Sequence, residues 1–287
     1  MTKKKFRLSD YISKILVVLC SLISIALLIT IIVFVVSKGI GSVNWKFLTT
    51  VTSVRKGTVG IAGNIVNTLL IVFLTMLIVI PIGVGASIYL NEYAKPGKLV
   101  TVIEFATEVL SGIPSIIFGL FGMMFFGETL GLGYSILTGS LTLILMVLPL
   151  VIRNTQEALK TVPDGYRHGA IGLGAGKWYM IRTILIPSAM PGIITGAILA
   201  IGRIVGESAA LLFTAGSAKL LPKGFLGIFE KIFHSGGTLT IQLYLSATSE
   251  GDFETAFGIA FVLLIIVFLI NIATKCLTRH FDATKRK

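Results

Sequence analysis

The sequence predicts an all-α integral membrane protein with six transmembrane helices and both termini in the cytoplasm. Three observations predict it: the scarcity of charge, the length of the uncharged runs, and the placement of Lys and Arg. Of 287 residues, 13% are charged and 54% are hydrophobic, and the mean hydropathy is +0.93. A soluble domain of this size carries about a quarter charged residues, so the apolar surface here is hidden by lipid as well as by the chain's own core. The net charge of +12 does not imply nucleic acid. The positive residues are separated by long apolar tracts and form no continuous basic face.

Uncharged runs occupy residues 15–37, 57–91, 109–127, 129–152, 183–202 and 255–274. Roughly 20 apolar residues cross a bilayer as a helix, so each run is an expected span. The second is the longest because a Gly-rich entry, 57–63, precedes its apolar part. Helices are preferred to barrel strands because the runs are continuous in Leu, Ile and Val and do not alternate in polarity. The first run is too long for a signal-peptide core and no small-x-small site closes it, so it is expected to remain as a span. Cys20 and Cys276 fall within spans and imply neither a disulfide nor a metal site.

Orientation follows from the Lys and Arg count. Seventeen fall on the side of the termini, the second-to-third and the fourth-to-fifth connections, seven fall on the other side, and Arg203 lies within a span. The positive-inside rule then places the termini in the cytoplasm.

Some charges sit where lipid is expected. An ionised group at mid-bilayer costs about 2.5–3.5 kcal/mol, so it faces protein or a water-filled path. Arg203 and Glu207 are four residues apart, which on a helix places them on one face within pairing distance. Either they form an internal ion pair that fixes packing, or they line a translocation path in which Arg203 offers an anion several donors. Glu104 and Glu108, also four apart and ahead of Pro114, fit a helix lying near the cytoplasmic interface better than a proton relay. Pro81, Pro114 and Pro149 are expected to kink or break their spans.

The cytoplasmic connection 153–187, RNTQEALKTVPDGYRHGAIGLGAGKWYMIRTILIP, reads as helix, break, short helix, break, helix. Pro163 stops the first helix, Asp164 serves as the N-cap of a short helix over about 165–173, and Gly174 ends it in a left-handed conformation. GLGAGKW is not a nucleotide-binding loop: three residues separate its outer glycines and Trp178 stands where Ser or Thr is needed. Neither a nucleophile elbow nor a His or Cys metal cluster is present in the sequence. The chain is therefore expected to be no enzyme, with no cofactor and no metal.

The segment RHGAIGLGAGKWYMIRTILIP resembles the EAA loop of permease subunits of bacterial ABC importers. The match runs through Ala170, Gly174, Ile184 and Pro187, with His168 and Gly169 where Glu and Ala are common and Ile186 where Leu is common. SGIPSIIFGLF (111–121), IYLNEYA (88–94), GRIVGESAALLFTAG (202–216) and TIQLYLSA (240–247) narrow the resemblance to phosphate importer permeases, on the A-subunit branch of the Pst system. It covers roughly residues 58–280.

The resemblance implies a type I ABC importer permease fold in the bacterial cell membrane. It divides the chain into 1–57, holding the N-terminus, first span and external segment, and 58–287, the permease core with the EAA loop at 153–187. It implies a homologous permease subunit, two cytoplasmic ATPase subunits and an extracytoplasmic phosphate-binding protein as partners, with inorganic phosphate as cargo. Coupling to the ATPase is expected through Asp164, Tyr166, Arg167, His168, Gly169, Ala170, Leu173 and Gly174. Arg203 is expected to meet the anion, with Glu207 holding its side chain. The outer connection, about 217–254, is expected to hold an interfacial or re-entrant element that either docks the binding protein or caps its own spans. The alternatives are an importer permease for another oxyanion, a secondary anion transporter, or a structural membrane subunit.

Overall fold

The computed structural model describes residues 8–53, 58–95, 97–222 and 224–281. Lys3, Lys4, Lys5, Arg7, Arg55, Lys56, Lys223, Lys285, Arg286 and Lys287, which enter the charge count, lie outside the described residues.

The elements in chain order are α1 (Leu8–Gly39), α2 (Trp45–Thr49), β1 (Val51–Ser53), β2 (Thr58–Ile61), α3 (Ala62–Ile88) and α4 (Lys98–Gly112). They continue with α5 (Ser115–Gly122), α6 (Ile136–Lys160), α7 (Asp164–Gly172), α8 (Lys177–Met180), α9 (Ile186–Val205) and α10 (Ala209–Thr214), and end with α11 (Gly224–Ile232), α12 (Leu239–Thr248) and α13 (Phe253–Phe281). π-Helical turns extend α3 through Tyr89–Tyr93 and α5 through Met123–Thr129, and Ile181–Leu185 joins α8 to α9.

Among the described residues, five helices are long and apolar enough to cross a membrane: Tyr11–Gly39, Ala62–Tyr93, Ile136–Lys160, Lys177–Val205 and Phe253–Cys276. A sixth span exists when the pair Lys98–Gly112 and Ser115–Thr129, bent by 103°, is counted as one. The bend falls at Pro114, whose fixed φ and missing N–H end the preceding helix. Pro81 and Pro149, by contrast, lie inside continuous helices.

The uncharged run 129–152 begins too early for the fourth span. Gly131 and Gly133 adopt φ of +72° and +55°, a left-handed turn that delays the helix to Ser135, whose hydroxyl accepts from the Thr138 N–H. The small antiparallel pair of β1 and β2 in the segment after α1 also departs from the all-helical expectation.

The core is a stack of α3 on α6 and α6 on α9, closed by α5 and α10. Ile71, Val79, Leu143, Val147, Ala200, Ile204 and Leu211 are buried at its centre. A second cluster, with Ile88, Leu159, Met180, Ile181 and Leu185, closes the end that carries α7. A third, with Phe47, Ile61, Leu239, Ile259 and Val262, closes the opposite end.

At that opposite end Asn64 and Asn67, both buried, tie α3 to the segments that follow α10 and precede α12. The Asn64 Nδ2 donates to Gly237 O at 2.9 Å and the Asn67 Nδ2 to Ala218 O at 3.1 Å. α1 stands apart, its side chains mostly exposed. It meets α13 through an edge-on contact of Phe34 with Phe257, ring centroids 5.5 Å apart.

Small residues set how close these helices come. A Cβ on Gly119 would lie 2.8 Å from Ala210 Cα, whereas one on Gly85 would meet nothing within 4 Å. Gly119→Ala is therefore expected to destabilise the chain by about 1–3 kcal/mol. Gly85→Ala should leave the thermal midpoint in detergent unchanged or raised, which makes it the matched control.

Candidate functional site: the α7 hairpin and the end of α9

α6 ends at Lys160, and Pro163, at φ −57° and ψ 137°, occupies the N-cap of α7. This corrects the expectation for Asp164, which is the first helical residue and makes no side-chain capping bond to the backbone. Pro163 already supplies the extended break, and the Asp164 carboxylate is drawn one turn on to Arg167, its Oδ1 accepting from Nη1 at 3.1 Å. A carboxylate in the first turn still favours the helix dipole. Leu173 follows as the C-cap, and Gly174 is left-handed at φ +81°, as expected.

The exposed face of α7 is bare and apolar. Added Cβ atoms at Gly165, Gly169 and Gly172 would meet nothing within 4 Å. Tyr166, Ile171, Trp178 and Tyr179 are exposed around them, and Leu173 is 91% exposed. His168 and Gly174 are exposed as well. Ala170 turns the other way and is buried with Ile88, Leu159, Met180 and Leu185.

Arg167 also turns inward. Its Nη2 donates to Glu92 Oε1 at 2.9 Å and to Leu159 O at 3.0 Å, and its Nη1 donates to Val162 O at 2.9 Å. Glu92 was not among the residues singled out from the sequence. A single acidic residue at the exit of a span has no local signature, and its partner lies 75 positions away.

At the other end of the fifth span, the expected Arg203 and Glu207 pair is not formed. α9 stops at Val205, Gly206 is its C-cap, and Glu207 leaves the helical path, its main-chain carbonyl accepting from Thr240 Oγ1 at 2.8 Å. The Glu207 Oε1 instead accepts from the Ala210 N–H at 3.1 Å, capping α10. The four-residue spacing fails because the helix ends between the two residues. Arg203 is exposed, and no ion pair joins it to Glu207.

Glu104 and Glu108 line a groove of about 420 Å³ between α4 and α6, together with Arg153, Glu157 and Lys160. None of the residues of α4 is buried. At the opposite end of the fold, Lys231 of α11 is buried, its Nζ donating to Ser235 O at 3.0 Å, while Phe233 and Leu220 remain exposed. The outer connection thus packs on its own chain through one face and leaves another open. Among the described residues no group of three or more His, Cys, Asp or Glu side chains is arranged to hold a metal ion.

A family model described as the inner membrane component of binding-protein-dependent transport systems matches residues 79–287. The chain belongs to this family. As such an inner-membrane component it is a multi-pass translocation subunit, and ATP hydrolysis belongs to separate subunits. A Bacillus subtilis protein described as a probable ABC transporter permease, YqgI, is 37% identical over 90% of this chain and 91% of its own length. The phosphate transport system permease PstA of Xylella fastidiosa is 32% identical over 84% of this chain and 83% of its own. A chain of a bacterial alginate ABC transporter superposes with a TM-score of 0.68 at 13% identity, covering 97% of this chain and 99% of that one, a likeness of fold alone. The permease therefore has the type I ABC importer fold.

In this permease the separation of Arg203 from Glu207 has a measurable consequence. Glu207→Ala, which removes the cap on Ala210, is expected to cost about 1 kcal/mol, and Glu207→Gln much less because its amide oxygen still accepts. Combined with Arg203→Gln, the Glu207→Gln effect should add within about 0.5 kcal/mol in a thermal double-mutant cycle. A larger coupling would restore the ion pair.

Proposed function

We propose that the chain is the permease subunit of an ATP-driven importer of inorganic phosphate, forming half of the translocation path and coupling to a separate ATPase through the EAA loop. The observation that carries the path assignment is Arg203, an exposed guanidinium at the end of the α9 span to which, among the described residues, no carboxylate is paired. A planar fork of five donors suits a tetrahedral oxyanion. An unpaired charge in a span needs a polar surrounding, which a path between two permease halves supplies. Glu207, bound to the α10 backbone, places a second charge near the path without neutralising the first. The printed description of the Xylella relative as a phosphate transport permease supports phosphate as the cargo.

The coupling surface is the exposed side of the EAA loop: Tyr166, His168, Gly169, Leu173 and Gly174, with Asp164 at the start of the helix. A solvated short helix with bare glycines and a fully presented Leu173 fits a groove in a partner. Arg167 and Ala170 serve the same loop from beneath. The partners are then a homologous permease, two ATPase subunits and an extracytoplasmic binding protein. The Lys and Arg distribution supports a cytoplasmic side for both termini and α7.

ATP binding would draw the two EAA loops together and shift the spans from inward-open to outward-open, an equilibrium change driven by differential affinity for the two states. A permease for another oxyanion would share every part of this scheme except the cargo.

The test is ATP-dependent uptake of labelled phosphate into vesicles that contain all partners. Arg203→Gln should assemble normally and lower uptake by at least about ten-fold, the scale of one lost charge-assisted contact. Unchanged uptake would make Arg203 a bystander, and a parent chain that moves sulfate or molybdate in place of phosphate would overturn the cargo assignment. Leu173→Asp should weaken co-purification of the ATPase by about 30-fold in affinity, the effect of losing an apolar anchor of about 2 kcal/mol.

A further inference from the structure

We infer that Arg167 and Glu92 form a rigid joint that hands the movement of α7 to the second span, making them positioning residues for coupling. The inference rests on the reading of α7 as the ATPase-docking helix. α7 has little packing of its own. Ala170 is its buried side chain, and the helix is bounded by two breaks, Pro163 and the left-handed Gly174. Left to those breaks it would swing without moving anything else.

Arg167 removes that freedom. The Nε and Nη2 of its guanidinium both approach Glu92 Oε1, at 3.2 and 2.9 Å. The same group donates to Leu159 O and Val162 O, at the C-terminal end of α6 and the break beyond it, and to the Asp164 carboxylate. One side chain therefore binds the exit of the second span, the end of the fourth span and α7 itself. The Glu92 side chain is 6% exposed and that of Arg167 16%. Asn91 Nδ2 donates to the same Glu92 oxygen at 2.7 Å, which holds the carboxylate in place. Partly buried pairs with several hydrogen bonds hold geometry more firmly than exposed ones, and a lysine cannot reproduce the five-donor fork.

A second contact falls on the same turn. Lys177 Nζ, on the far side of α7, sits 4.8 Å from the centre of the Tyr93 ring. Both flanks of α7 thus end on the π-helical turn Tyr89–Tyr93. That turn continues α3 without a break to Ala62, 32 residues in all, about 48 Å of helix. At the far end Asn64 and Asn67 hold Gly237 and Ala218. A displacement applied at α7 reaches the opposite face of the membrane along one rod, with a polar clamp at each end.

The experiment uses the complete transporter in vesicles and compares Arg167→Lys, Glu92→Gln and the Glu92→Gln/Arg167→Lys double variant. ATPase co-purification and hydrolysis should stay within about two-fold of the parent, while phosphate moved per ATP falls by about ten-fold. The double variant should be no worse than the singles, because all of them remove the same joint. Unchanged phosphate per ATP in either single variant overturns the inference. So does loss of the ATPase in Arg167→Lys alone, which would make Arg167 a direct contact.

A measurement that leaves the pair intact guards against variants that fail to fold. With Cys20 and Cys276 replaced by Ala, spin labels at Gly172 and at the exposed Tyr89 should keep one distance with and without ATP, and a change in that distance overturns the joint. If Leu173→Asp still binds the ATPase, the docking reading falls and the inference with it. That outcome is read by co-purification and is separate from the transport ratio.

Discussion

Lipid tails are as apolar as leucine, so burial of side chains gives helices in a bilayer no reason to associate, and close backbone contact has to do it. This constraint decides the arrangement of the bundle. Gly83 meets Val151, Gly192 meets Ala158, Gly196 meets Asn154 and Gly139 meets Ala215, each at van der Waals range or tighter for an added Cβ. The first three points hold the α3, α6 and α9 stack, the fourth draws the end of α10 onto α6, and the charged and polar sites take their positions from this arrangement. α1, with its outward face of Leu, Ile and Val, has one such approach, Gly39 against Phe257, and correspondingly touches the body along α13.

Where the stack is fixed, polar groups can be placed without exposure to lipid. Ser87 Oγ reaches Ile152 O at 2.8 Å across the α3 and α6 interface. At one end of α3 the asparagines close on a loop, and at the other Glu92 closes on Arg167. The two ends differ in kind. Neutral amides hold backbone carbonyls at one end, whereas at the other a charged fork holds a short helix that lies between the breaks at Pro163 and Gly174.

Much of this was legible from residues alone. Uncharged runs locate the spans because each ionised group in lipid is costly, and Pro163 and Gly174 punctuate α7 through fixed backbone preferences. The errors have physical causes. The uncharged run starts the fourth span too early because Gly131 and Gly133 turn the chain without any change in charge. Helical spacing pairs Arg203 with Glu207, and a helix that ends at Val205 removes the premise. The Arg167 contact with Glu92 spans 75 positions and that of Asn64 with Gly237 spans 173, distances over which no periodicity reports. Local rules gave the elements, and the contacts that tie them came only with the fold.

The bend of 103° between α4 and α5 leaves 8 helical residues in α5 and 7 more in its π-helical turn to cross the membrane. At about 1.5 Å per residue this is about 22 Å, against about 30 Å of hydrocarbon in an ordinary bilayer. Such mismatch is relieved by drawing the two lipid surfaces together or by covering the shortfall with protein. At the α5 flank a shortfall of about 8 Å is therefore left to be covered by α4, which belongs to the same bent pair, or by a neighbouring helix. A span made of two crossed pieces depends on its neighbours for cover in a way that a straight helix of full length does not.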